Sequence, residues 1–306
     1  MIPQKSRLPR RSTLPLLAFA LLLPLFVGTS VAQKFETPKS GVPFSTIAES
    51  HPIDGKCQRG GSDDGNELHR AQNAAKNDFT EKNTPVTLTF SDFSRLQRDT
   101  DSAIDKGEIE LEGKYPADRS QLQKRFSVQG KSVGEGTVVR LEAYVFGAHY
   151  SNTKLNTYGG GDRGHGEANN CDNDELDWND IHIALIGSTT SGLDECNTVT
   201  AEISPHYRPE TWARFHDGLI SEIEAEIPGL LRHKVVQRAK AGDEPLHVRV
   251  TGPLFYDASH SPCRTVNGKL RRNSPARRSI WEIHPVYRVE VFNGKWVELD
   301  KWAKNQ

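Results

Sequence analysis

Thr137-Val-Val-Arg-Leu-Glu-Ala-Tyr-Val-Phe-Gly-Ala-His149 carries the pattern that decides the fold. Val139, Leu141, Ala143 and Val145 fall on one face, and Arg140, Glu142 and Tyr144 on the other. A period of two marks a half-buried strand. Two similar stretches follow. Asp180 to Ile186 sets Ile181, Ile183 and Leu185 opposite His182, and Thr198 to Ser204 sets Val199, Ala201 and Ile203 opposite Thr200 and Glu202. Then the period changes. Pro209 suits a helix start, and Trp212, Phe215, Leu219, Ile223 and Ile227 recur at spacings of three and four. Pro228-Gly229 ends that helix, and Leu246 to Tyr256 and Ile280 to Phe292 read as strands again. Three strands, a helix and two strands is the order of the OB-fold. The expectation is a β-rich (α+β) chain whose residues 136–306 form an OB-type five-stranded β-barrel, with the helix between strands three and four.

Residues 33–135 read as an N-terminal extension with short helices and a strand. Residues 33–62, rich in Gly, Pro, Ser and Lys, suit an extended surface segment. Asp63 or Asp64 can cap a helix to about Phe79, with Leu68, Ala71, Ala75 and Phe79 as its apolar stripe. Val86, Leu88 and Phe90 alternate as a strand, Ser91 caps a short helix carrying Phe93 and Leu96, and residues 99–131 read as irregular.

Residues 1–32 read as a secretory signal peptide. Lys5, Arg7, Arg10 and Arg11 make a basic start, Leu14 to Val27 is an apolar run broken by Pro15 and Pro24, and Ser30-Val31-Ala32 is a cleavage site. A spanning helix needs roughly 20 apolar residues, more than this run supplies. The full 306-residue chain has 39 basic and 40 acidic residues, a net charge of −1. The leader takes 4 basic residues with it, so the mature chain carries −5. Nucleic-acid affinity comes largely from neutralising phosphates, so a nucleic-acid partner is not expected.

Export to the periplasm or beyond gives the four cysteines a meaning. Cys57, Cys171, Cys196 and Cys263 imply two disulfides, with three possible connectivities. Cys171 and Cys196 flank a strand and form the expected local pair. Cys57–Cys263 would then tie the extension to the barrel. The spacings do not suit a zinc site built on these cysteines.

Six stretches carry a resemblance: Arg70-Ala-Gln-Asn-Ala-Ala-Lys-Asn77, Ala148-His-Tyr-Ser-Asn152, Asn179-Asp-Ile-His-Ile-Ala-Leu185, Thr200-Ala-Glu-Ile-Ser-Pro-His-Tyr-Arg-Pro209, Val250-Thr-Gly-Pro-Leu-Phe-Tyr-Asp-Ala-Ser-His260 and Trp281-Glu-Ile-His-Pro-Val286. Over about residues 51 to 300 the chain resembles a group of uncharacterised exported bacterial proteins. The resemblance implies the domain extent and no activity. Thr80 stands where that pattern often has a Cys, which puts the Cys57–Cys263 pairing in doubt.

Three sets of residues could carry chemistry. Asp257 and His260 follow strand four, and Glu282 and His284 share one face of strand five. Strands four and five of an OB barrel are antiparallel neighbours, so these four could converge as catalytic acid–base groups or hold a divalent metal. Arg140, Tyr144, His182 and Glu202, with Glu142 and Thr200, would line the outer face of strands one to three, where OB-folds bind ligands. A single aromatic among mixed polar groups suits a glycan or a peptide of an envelope protein. The loop from Gly159 to Asp177 holds Asp162, Asp172, Asp174 and Asp177 without EF-hand spacing, and Arg271, Arg272, Arg277 and Arg278 make a basic loop. The leading expectation is an exported binding module, non-catalytic. The alternative is a metal-dependent hydrolase or nuclease on the same barrel.

Overall fold

The computed structural model describes residues 57–62, 65–150, 166–173, 178–192, 194–206, 208–213, 220–223, 235–238, 245–273 and 276–305, with Gly41, Thr46 and Ile53 before them. The expected signal peptide, Asp63 and Asp64, and Asp162, Asp174 and Asp177 of the acidic loop lie outside the described residues.

Helix α1 spans Glu67–Lys76. Its N-cap is Asn66, whose side chain accepts hydrogen bonds from the amides of Leu68 and His69. The expected caps at Asp63 or Asp64 are displaced because Gly65 turns the chain at φ 75° just before. The buried face of α1 is also unexpected: it is Gln72, Asn73 and Lys76, while Ala71 is exposed. Strand β1 (Val86–Leu88) follows as expected. Phe90 belongs instead to helix α2 (Phe90–Asp105), because Thr89 and Asp92 form a capping box ahead of it. Residues 99–131 are not irregular. They complete α2 and then form the hairpins β2 (Leu111–Glu112) with β3 (Tyr115–Pro116) and β4 (Phe126–Val128) with β5 (Lys131–Val133). Strands of two or three residues are too short to show a period in sequence.

The body comprises β6 (Val138–Tyr150), β7 (Ile181–Ile186), β8 (Val199–Ile203), helix α3 (Glu210–Ala213), β9 (Ile220–Ile223), β10 (Val235–Arg238), β11 (His247–Tyr256), β12 (Arg264–Val266), β13 (Lys269–Arg271), β14 (Trp281–Ile283), β15 (Arg288–Phe292), β16 (Trp296–Glu298) and helix α4 (Leu299–Ala303). Five of these strands close a mixed barrel in the order β6-β7-β8-β14-β11 and back to β6. The β8–β14 pair is parallel, and the other four pairs are antiparallel. The alternation holds: Val139, Leu141, Ala143, Ile181, Ile183, Val199, Ala201, Val250 and Ile283 are all buried in one core. β1 adds to β6 in parallel, so Val86, Leu88, Phe93 and Leu96 of the extension share that core.

The long helix expected between strands three and four is corrected. It begins after Pro209 but α3 has only four residues, and Ile220–Ile223 forms a strand paired antiparallel with Val235–Arg238. Ile223 meets Val235 across the pair, while Ile220 faces Arg238, and β-branched side chains favour extended backbone over helix. Strand five is split into β14 and β15. Both pair with β11, and two extra residues bulge between Ile283 and Arg288. Gly252 opposite is required there, since a Cβ would stand 2.5 Å from the Pro285 carbonyl oxygen.

The disulfides are Cys57–Cys171 and Cys196–Cys263, with Cα separations of 5.5 Å each. The expected pairs Cys171–Cys196 and Cys57–Cys263 are therefore both wrong. The chain near Cys57 lies along residues 168–170: Ser62 N donates to Ala168 O at 2.7 Å, and a Cβ on Gly61 would reach that same oxygen. Cys171 is thus delivered to Cys57, and Cys196 to Cys263 beyond β11. Two disulfides fit an oxidising, exported compartment. Among the described residues no helix is long and apolar enough to cross a membrane.

Candidate functional site

The outer side of the β7, β8, β14 and β11 wall carries His182, Glu202, Glu282 and His284, with Asp257 just past β11. Alternation along the strands turns these side chains away from the apolar core. Water does not receive them. Helix α1 and residues 167–170 lie over this wall, and Glu202, Asp257 and Glu282 are 0% exposed.

His182 and Glu202 of the expected ligand face therefore join Asp257, Glu282 and His284 of the other expected set in one buried cluster. His284 Nδ1 lies 2.6 Å from Glu202 Oε2 and 3.6 Å from Glu282 Oε1. His182 Nε2 is 3.3 Å from Glu202 Oε1 and 3.3 Å from Glu167 Oε1. Lys76, from α1, reaches 3.4 Å from Glu202 and 3.9 Å from Asp257. Arg277 is not part of a solvated basic loop; it is buried and donates to Glu282 at 2.9 Å. Gln72 of α1 donates to Asp257 at 3.1 Å. His260 stands at the rim, 3.4 Å from Asp257 and partly exposed. The expectation that His182, Thr200 and Glu202 form an exposed ligand face is overturned, because all three are buried.

Burial and charge compete here. Burial disfavours an imidazolium at His182, yet Glu202 and Glu167 outweigh it and raise its pKa to about 9. His284 is raised to about 10 against the same burial penalty, by Glu202 and then Glu282. Burial works against the Glu202 carboxylate, but His182, Lys76 and His284 hold its pKa well below the usual range. Burial and then Glu167 push Asp180 up to about 7, and burial with Glu202 and Asp257 does the same for Glu282. His260 falls to about 4 through burial and Arg277. Lys76 loses some basicity to burial but is raised well above its ordinary value by Glu202 and Asp257.

Sequence reasoning missed Lys76, Gln72, Glu167, Asp180 and Arg277 as members. Asp180 was within reach, because it stands two residues before His182 and so shares its face.

Arg140 and Tyr144 lie elsewhere, on an open strip formed by β6, β11, β15 and β16. Tyr144 stacks on His247 at 4.7 Å. His247 meets Trp296 at 5.1 Å and Phe292 at 5.4 Å. The Arg249 guanidinium lies 4.5 Å over the Trp296 ring and forms a bidentate pair with Glu290. Phe292 is 44% exposed. No family model, curated protein or solved structure matches the chain.

Proposed function

We propose that the chain is an exported binding module on an OB-type barrel, and that its ligand is a neutral oligosaccharide taken by the open aromatic strip. The closed strand order with a single parallel pair supports the OB-type reading. The strip itself is the observation that carries the ligand. Tyr144, His247, Phe292 and Trp296 offer ring faces and edges, while Arg249, Arg288, Glu290 and Glu298 are held by one another around them. Arg140, Arg249 and Arg288 balance Glu142, Glu290 and Glu298 in formal charge. A locally neutral, aromatic and hydrogen-bonding surface favours a sugar over a polyanion.

Isothermal titration against neutral oligosaccharides tests this. Binding that weakens about tenfold in Trp296→Ala and in Tyr144→Ala is expected, an aromatic contact being worth roughly 0.5–1.5 kcal/mol. Binding unchanged in both variants, or absent for every sugar tried, overturns the reading. The hydrolase or nuclease alternative draws on the convergence of Asp257, Glu282, His284, His182 and Glu202. It requires α1 to lift away, since these groups are sealed from substrate as they stand.

A further inference from the structure

We propose that Glu167, Asp180, His182 and Glu202 form a site for one divalent transition cation, Zn²⁺ or Mn²⁺. Each offers one ligand atom, and the four atoms lie within 4.8 Å of one another. His182 Nε2 stands 3.3 Å from a carboxylate oxygen on either side. One ring nitrogen cannot make a good hydrogen bond to both. The same spacing is the edge of a coordination tetrahedron, which is about 3.4 Å for metal–ligand bonds of about 2.1 Å.

A second observation points the same way. Asp180 is fully buried, and its Oδ1 has no hydrogen-bond donor among the described residues; Glu167 Oε2 is in the same state. Buried carboxylate oxygens are normally satisfied, so oxygens left over beside an imidazole mark a missing acceptor of their lone pairs. The outer atoms are held: Asn169 donates to Asp180 Oδ2 at 2.7 Å, and Lys76 and His284 hold Glu202 Oε2. Charge also favours a cation: with His182 neutral, three carboxylates against Lys76 and a protonated His284 leave −1. An imidazole among carboxylates selects Zn²⁺ or Mn²⁺ over Ca²⁺ or Mg²⁺, which take oxygen ligands. The cation would join Glu167, on the segment tied to Cys57, to the barrel wall at β7 and β8. That role is independent of the oligosaccharide reading.

The test is metal content and metal-dependent melting of the purified protein. After dialysis into metal-free buffer, elemental analysis is expected to find close to one Zn or Mn per chain. Chelator is expected to lower the melting temperature, and Zn²⁺ or Mn²⁺, not Ca²⁺ or Mg²⁺, to restore it. Co²⁺ loading is expected to give the visible absorption of a four-coordinate N,O site. Asp180→Asn keeps the size while removing one ligand charge, and is expected to weaken the cation at least as much as loss of a group supporting a ligand does, about 10–100-fold. Glu282→Gln, outside the set, is expected to retain it. Protein that holds no metal and whose melting ignores every cation overturns the proposal. So does a site lost in Glu282→Gln but kept in Asp180→Asn, which would place the cation at Glu202, Glu282 and His284 instead.

Discussion

Lys76 shows most plainly what a single residue does in this molecule. It is the only side chain of α1 that brings a positive charge to Glu202 and Asp257, both without exposure. Truncating one partner of a buried ion pair leaves the other charge uncompensated. Lys76→Met is therefore expected to destabilise the protein by about 3–5 kcal/mol in urea unfolding. A loss under about 1 kcal/mol would mean that the two carboxylates do not depend on Lys76. The sequence could place Glu282 and His284 on one face, because strand geometry alone decides that. It could not show that the face is dry. A period of two tells which side of a strand a residue takes, not what lies on that side, so His182 and Glu202 read as exposed.

At the level of elements, α1 is the piece that hydrophobic patterning misreads. Leu68, Ala71 and Ala75 look like its inner stripe, yet Gln72, Asn73 and Lys76 are what it buries. A helix packed on a polar wall inverts the usual signal. The strands were readable because they alternate over an apolar barrel interior, whereas the segment after Pro209 was not, since its spacings of three and four read as a helix stripe although Ile220–Ile223 pairs as a strand. The Cys57–Cys171 bond clamps the segment bearing Glu167 against the approach to α1. Its closed loop spans 114 positions, worth about 4–5 kcal/mol of unfolded-state entropy, and the Cys196–Cys263 loop of 67 is worth nearly as much. The double variants Cys57→Ser/Cys171→Ser and Cys196→Ser/Cys263→Ser are thus expected to lose similar stability. They should differ in hydrogen exchange: only the first should speed exchange at the α1 amides. Equal acceleration of α1 in both would sink that assignment.

For the whole molecule, strand order and the closed five-stranded barrel were legible, and the covering of one wall by the extension was not. Nothing local in residues 57–77 records which part of a distant barrel they will meet. The cysteine connectivity has a consequence for assembly in time. Numbered along the chain, the first cysteine joins the second and the third joins the fourth. A chain is made from its N-terminus, so an oxidant that simply links each cysteine to the next to appear produces the native pairs. No bond has to wait for a later cysteine while an earlier one is skipped, and no reshuffling is required. Stepwise oxidation during synthesis is expected to give native protein at the same yield with or without a disulfide isomerase. An isomerase requirement in that assay would show that the folding order of the segments, and not the order of the thiols, governs pairing.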